Sequence, residues 1–275
     1  MYDPVPPDGA SSGQAQAPAL ARRLAQPQSV RAVFFDVGYT LLAPHPSVLD
    51  IVSQVCADHG QPVSRACLES QLPEAQAYLR AEVRGAPQTW ADDRAITAIW
   101  AGYFAVLLRA CLDASAPSFD ETVAAVRQVY EHHTSYAVFP DVVPVLRLLH
   151  ARGLTLGVIS DWGIGLGTIL HEHGLNQYFD FAVVSAALRH AKPHPWLFET
   201  ALRRANTIAD YALHIGDSYV LDVLGARAAG IEAVLIDRPD TLDSATVDVP
   251  VVRDLYGLLD LLEVEGAALD ELGGA

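Results

Sequence analysis

One short run of residues restricts this chain more than any other. Ala32-Val33-Phe34-Phe35 is uninterrupted apolar sequence between Arg31 and Asp36, the pattern of a strand covered on both faces rather than on one. Similar runs recur much later, at Thr155–Ser160, Phe181–Ala186, Tyr211–Asp217 and Glu232–Asp237, with a weaker one at Val249–Arg253. Helical patterns separate them: Val142–Ala151, Gly165–His173, Pro195–Arg204 and Val220–Ala229. Two of these stop at a glycine, Gly174 and Gly230, as helices often do. Buried strands alternating with helices imply right-handed crossovers and a doubly wound, mainly parallel α/β sheet. In such a sheet ligands bind beyond the carboxyl ends of the strands.

From about Pro46 to Tyr136 the alternation stops and only helix signals remain. Ile96, Ile99, Trp100, Tyr103, Phe104, Leu107 and Leu108 follow helical spacing, and that aromatic stripe reads as core rather than as a stacking platform. Thr89 is the expected N-cap of this helix. The expected organisation is a disordered tail over 1–28 and an α/β core formed by 29–44 and 138–265. A helical cap fills 45–137, and the C-terminus 266–275 is flexible.

Composition narrows the setting. The net charge of −15 opposes nucleic acid and anionic membranes, and any phosphate bound here needs a local cation to reverse the field. No apolar run approaches the roughly 20 residues of a membrane span, and the first residues lack the features of a signal peptide. A cytoplasmic protein is expected. Cys56, Cys67 and Cys111, three cysteines without C-x-x-C spacing, read as reduced thiols.

Polar clusters fall where the strands should end. Asp36 closes the first, with Gly38 and Thr40 behind it; Ser160 and Asp161 close the second. Lys192 follows the third, and Gly216-Asp217-Ser218 closes the fourth, with Asp222 five residues after Asp217. Together these residue types suit phosphoryl transfer. A carboxylate such as Asp36 can attack phosphorus and divide one hard step into two. Two anions repel, so a cation is required. Mg²⁺ prefers oxygen ligands, and Asp36, Asp217 and a backbone carbonyl near Gly38 would hold it. Lys192 supplies a second positive charge, while Ser160, with Thr40 and Asp161 nearby, would contact the phosphate. Asp222 would orient Lys192 or the metal's waters from behind. Histidines at 132–133 and 171–173 do not share a helix face and are set aside as metal ligands. His190 and His194 read as exposed loop residues, and Trp162 is a candidate pocket wall.

The stretches VFFDVGYTLL, GVISD, AKPHPWLF and HIGDSYVLDVLGARAAG, in that order, resemble the motifs of the haloacid dehalogenase superfamily. The helical stretch between the first two resembles that family's cap. The resemblance implies an aspartate-nucleophile, Mg²⁺-dependent phosphatase acting on a small phosphorylated metabolite. It also exposes a departure. Phosphatases of the superfamily usually carry a second aspartate two residues after the nucleophile, as acid and base; here that position is Gly38. Asp161 stands where asparagine is expected. Loss of a positioned acid or base costs typically ~10²–10⁴-fold in rate. Three explanations follow: a leaving group that needs little protonation, a donor nearby (His45, Asp50 or Tyr39), or a site that binds without turnover. A metal-independent dehalogenase is a further alternative, and leaves Gly216-Asp217 unexplained.

Overall fold

The computed structural model describes residues 24–85 and 87–264. Its first strand, β1 (Ala32–Phe35), is buried along its whole length. The chain then forms β2 (Leu42–Pro44) and four helices: α1 (Val48–Asp58), α2 (Arg65–Gly85), α3 (Asp93–Leu108) and α4 (Ser118–Glu131). It returns through β3 (Tyr136–Val138), which pairs antiparallel with β2, Leu42 opposite Val138. This two-stranded stem carries no sequence signal of its own, because three residues are too few to show a period.

The remainder alternates. After α5 (Val142–Ala151) come β4 (Thr155–Ser160), α6 (Leu166–Glu172), β5 (Phe181–Val184), the short α7 (Ser185–Leu188) and α8 (Pro195–Arg204). Then follow β6 (Ala212–Gly216), α9 (Leu224–Ala228), β7 (Glu232–Ile236), β8 (Val251–Val252) and α10 (Leu255–Leu261). The six-stranded sheet has the order β5-β4-β1-β6-β7-β8, and every pair in it is parallel. The chain moves outward from β1 to β4 and β5, then back across to β6 and onward. The reversal lies at β1, so a crevice opens at its carboxyl end, where the first two motifs and the last converge.

Separate apolar cores stabilise these parts. Phe35, Leu146, Leu149 and Ile215 pack beneath one face of the sheet, and Phe34, Phe198 and Leu235 beneath the other. Leu68, Phe104, Leu107 and Val126 form a third core among α1–α4. Burying each such side chain contributes about 1.5–3 kcal/mol. The cap also touches the core directly: the Ile164 N–H donates to Asp93 Oδ1 at 2.9 Å, and the Ser185 hydroxyl donates to the Trp90 carbonyl.

Several expectations need correction. The helix starting at Asp93 is capped by Asp92, whose carboxylate accepts from the Arg94 and Ala95 amides; Thr89 lies earlier, in a 3₁₀ turn over Pro87–Ala91. Packing begins before residue 29. Leu24 is buried, and the Ala25 N–H donates to Glu232 Oε1 at 2.9 Å. The remainder of the expected tail, like the C-terminal stretch 266–275, lies outside the described residues. The cysteines are not all thiols: Cys67 and Cys111 form a disulfide, with Cα atoms 5.9 Å apart, while Cys56 is free and buried. The pair is 44 residues apart, and the packing of α2 on α3 brings the first turn of one beside the chain just past the end of the other. The helix expected at Val220–Ala229 starts as a π turn over Tyr219–Val223 before becoming α9. Such turns recur at functional sites.

Candidate active site

Asp36 follows β1 directly, and its amide donates to the Ile215 carbonyl of β6 at 2.9 Å. This fixes its side chain at the crevice, where it is 5% exposed. Its Oδ1 accepts two hydrogen bonds, from the Ser160 hydroxyl at 3.1 Å and from Lys192 Nζ at 2.6 Å. Ser160 closes β4, the parallel neighbour of β1, which is why its hydroxyl faces Asp36.

Lys192 lies in the loop between α7 and α8 and is 3% exposed. Its backbone N–H donates to Asp161 Oδ1 at 2.9 Å, so Asp161 anchors the loop that carries the lysine. The ammonium bridges Asp36 and Asp222, with Nζ 2.7 Å from Asp222 Oδ1. Burial alone would lower the lysine's pKa; Asp222, Asp36 and Asp161 outweigh it and hold the group cationic.

Asp222 has partners on both oxygens. It accepts from Lys192, from His214 Nε2 at 2.9 Å and from the Ser218 amide at 3.1 Å. Burial would raise its pKa, but Lys192 and His214 overcome that and hold the carboxyl well below its ordinary value. Its approach requires Gly216. A Cβ there would lie 2.2 Å from Asp222 Cγ, closer than real atoms approach. His214 is wholly buried on β6 and was not a sequence candidate, although a lone histidine inside the apolar run Ala212–Ile215 was its signal.

Asp217 differs from Asp222. It is buried, and its Oδ2 has no hydrogen-bond partner among the described residues. Burial, with Asp36 and Asp222 nearby, pushes its pKa up to about 8. Carboxylate oxygens of Asp36, Asp217 and Asp222 all lie within 4.8 Å of one another. A buried acidic group with an orphaned oxygen fits a hard divalent cation, which would neutralise charge that Lys192 does not reach. Since both oxygens of Asp222 are already engaged, Asp36 and Asp217 are the ligands this arrangement offers most directly.

These groups line one wall of a cavity of about 1120 Å³ between sheet and cap. Asp36, Gly38, Ser160, Asp161, Lys192, Asp217 and Asp222 all reach it. Thr40 does not: it is fully buried outside the cavity lining, and its carbonyl accepts from the Arg238 guanidinium. Ser160 was expected to donate to phosphate; here its hydroxyl donates to Asp36. Asp161 keeps one oxygen, Oδ2, buried and without a hydrogen-bond partner among the described residues. Burial leads a rise in its pKa to about 7, with Lys192 opposing and Asp36 and Asp222 adding.

Of the three side chains near Gly38 that could supply a proton, the structure selects one. Asp50 is exposed, held by Ser47 and Arg65 at the start of α1. His45 is exposed and outside the cavity lining. Tyr39 lines it, and burial together with Asp217 raises the phenol's pKa above 10, so it is protonated at neutral pH. Residues that sequence reasoning missed come from the cap: Arg80, Trp90, Trp100, Tyr130 and Glu131 line the cavity, as does Tyr136 of the stem. Trp100 packs against the cap core and also lines the cavity, whereas Phe104, one turn on, is fully buried. Neither His190 nor His194 lines the cavity; His194 caps α8, accepting from the Trp196 amide.

Comparison with known proteins agrees with this architecture. The chain is 31% identical to human haloacid dehalogenase-like hydrolase domain-containing protein 3, over 86% of this chain and 89% of that one. It is 30% identical to the phosphoserine phosphatase of Thermus thermophilus, over 76% and 89%. A haloacid dehalogenase-type hydrolase from Bacillus subtilis, solved bound to magnesium, shares the fold with a TM-score of 0.68 at 19% identity, covering 85% of this chain and 99% of its own. The haloacid dehalogenase-like hydrolase family model matches residues 30–230. With its motifs gathered at one sheet edge beneath an inserted cap, the chain belongs to the haloacid dehalogenase-like hydrolases.

Proposed function

We propose that the protein is a Mg²⁺-dependent phosphatase that works through a phosphorylated Asp36. The observation that carries this reading is the pairing of Asp36 with Lys192 beside an uncompensated Asp217. Lys192 gives the attacking carboxylate and the phosphoryl oxygens a shared cation, held in place by Asp222 and, through its backbone, by Asp161. Asp36 and Asp217, with a backbone carbonyl near Gly38, would hold Mg²⁺, which when bound neutralises the repulsion between carboxylate and phosphate. Asp36 attacks phosphorus, the bond to the ester oxygen breaks, and the leaving group departs with its electron pair. Water then attacks the acyl phosphate, releasing phosphate and restoring the carboxylate. Ser160 orients Asp36 for attack on a substrate held between sheet and cap, and the cap excludes solvent.

A small phosphorylated metabolite is the substrate class this reading takes, in keeping with the activity for which the phosphoserine phosphatase relative is named. Metal-independent dehalogenation is less well supported, because it leaves the acidic surroundings of Asp217 without a role. No helix among the described residues is long and apolar enough to cross a membrane; a cytoplasmic setting belongs to this proposal. The test is phosphate release from a panel of esters and acyl phosphates with Mg²⁺. The parent protein turns over at least one, and Asp36→Asn, which keeps the shape but not the charge, releases none. Equal rates for both proteins would refute the nucleophile.

A further inference from the structure

A line of rings runs from the cap down to the catalytic floor. Trp90 meets Trp100 at 6.0 Å between centroids, and Trp100 meets Tyr130 at 4.8 Å. Tyr130 meets Tyr136 at 6.0 Å, and Tyr136 meets Trp162 at 5.4 Å. All five line the cavity, and Trp90, Trp100 and Trp162 keep part of their surface exposed. The line ends over Gly38: a Cβ built there would sit 3.5 Å from Trp162 Cζ3. Where a carboxyl would have to reach the leaving oxygen, the chain offers an indole edge, and the donor nearby in the lining is the Tyr39 phenol, a far weaker acid than a carboxyl.

Two requirements then fall on one part of the substrate. The departing group must leave with little protonation, and it must fit a wall of aromatic faces and edges. Phenols meet both. Their conjugate bases are stabilised by the ring, and flat rings pack against indole and phenol in offset or edge-to-face arrangements. Resting on the phosphatase reading above, we propose that the substrates are aryl phosphate monoesters, with the aromatic leaving group against Trp162, Tyr136 and the cap tryptophans. Asp36 forms the new bond to phosphorus as the phosphorus–aryl oxygen bond breaks, and the phenolate takes its proton from solvent. Water completes hydrolysis to phosphate, so no co-reactant is required.

The test separates ring recognition from leaving-group acidity. With Mg²⁺, kcat/KM is measured for 2-naphthyl phosphate and for the phosphate ester of a fluorinated aliphatic alcohol of the same acidity; acetyl phosphate is a ringless control. The expected result is a preference of roughly tenfold or more for the naphthyl ester, shrinking in Trp100→Ala. Should that variant fail to fold, the ratio in the parent protein decides alone. Equal kcat/KM for the matched pair, with acetyl phosphate still hydrolysed, overturns the aryl proposal and leaves phosphatase activity standing. No turnover of any of the three overturns the phosphoryl-transfer reading and this proposal with it.

Discussion

Asp161 offers a quantitative test of the site's electrostatics. Its carboxyl is raised from 3.8 to about 7, chiefly by burial, so the folded state binds a proton more tightly than the unfolded one. Stability from this group is therefore fully present below pH 3.8 and is lost as pH rises through 7. At 1.36 kcal/mol per pH unit, the shifted group costs at most about 2 kcal/mol at pH 5, where folding takes up a proton, and about 4 kcal/mol at pH 8, where the carboxylate is buried. Asp161→Asn removes the ionisation and keeps an Oδ1 that accepts from the Lys192 amide. Because the residue is partly exposed, screening reduces these ceilings. The variant should gain about 1–2 kcal/mol more relative to parent at pH 8 than at pH 5. Urea unfolding in chelator, without phosphate, at the two pH values measures this directly. A stability difference that is the same at both, or that favours the parent at pH 8, would refute the assignment of the cost to a buried charge.

Other expectations follow from the same geometry. Lys192→Met should destabilise the fold by about 3–5 kcal/mol, since Asp36 and Asp222 lose their shared cation while remaining buried; thermal unfolding reads it out. Gly216→Ala forces Asp222 aside and should cost about 1–3 kcal/mol, with phosphate release falling in parallel as Lys192 loses its anchor. Reducing the Cys67–Cys111 bond frees a loop spanning 44 residues and should lower stability by about 2–4 kcal/mol. Unfolding curves with and without dithiothreitol, beside thiol counting on the denatured protein, test that. A count of three thiols without reductant would show that the bond does not form.

The sheet was legible because strands buried on both faces are apolar without interruption, as in Ala32–Phe35 and Leu156–Ile159. Polar residues that end such runs can only lie at the sheet's edge, which is how Asp36, Ser160 and Asp217 stood out. The cavity wall was illegible for the opposite reason. Trp100 and Phe104 are one helical turn apart and share a period, yet one faces the cavity while the other is fully buried. Periodicity reports which side of a helix is covered, not whether protein or an open cavity covers it. His214 gave only a single polar letter in a strand, and the pairing of Cys67 with Cys111 depends on how two helices pack. The shift of the cap from Thr89 to Asp92 is a choice between two adequate capping residues, settled by where the 3₁₀ turn ends.

The stem of β2 and β3 has a further consequence. All polar groups around Asp36 come from the sheet side, while the chain enters and leaves the cap through one pair of three-residue strands. α1–α4 close an apolar core of their own. Replacing a ring at Trp90 or Trp100 therefore leaves every hydrogen bond around Asp36 intact. The chemistry and the cap's share of the cavity wall are written in different stretches of sequence, although Trp162 lies on the sheet side and Tyr136 in the stem. A substitution in the cap does not have to be repaired among the polar residues. A lineage built this way can change what it accepts one side chain at a time without passing through an inactive ancestor.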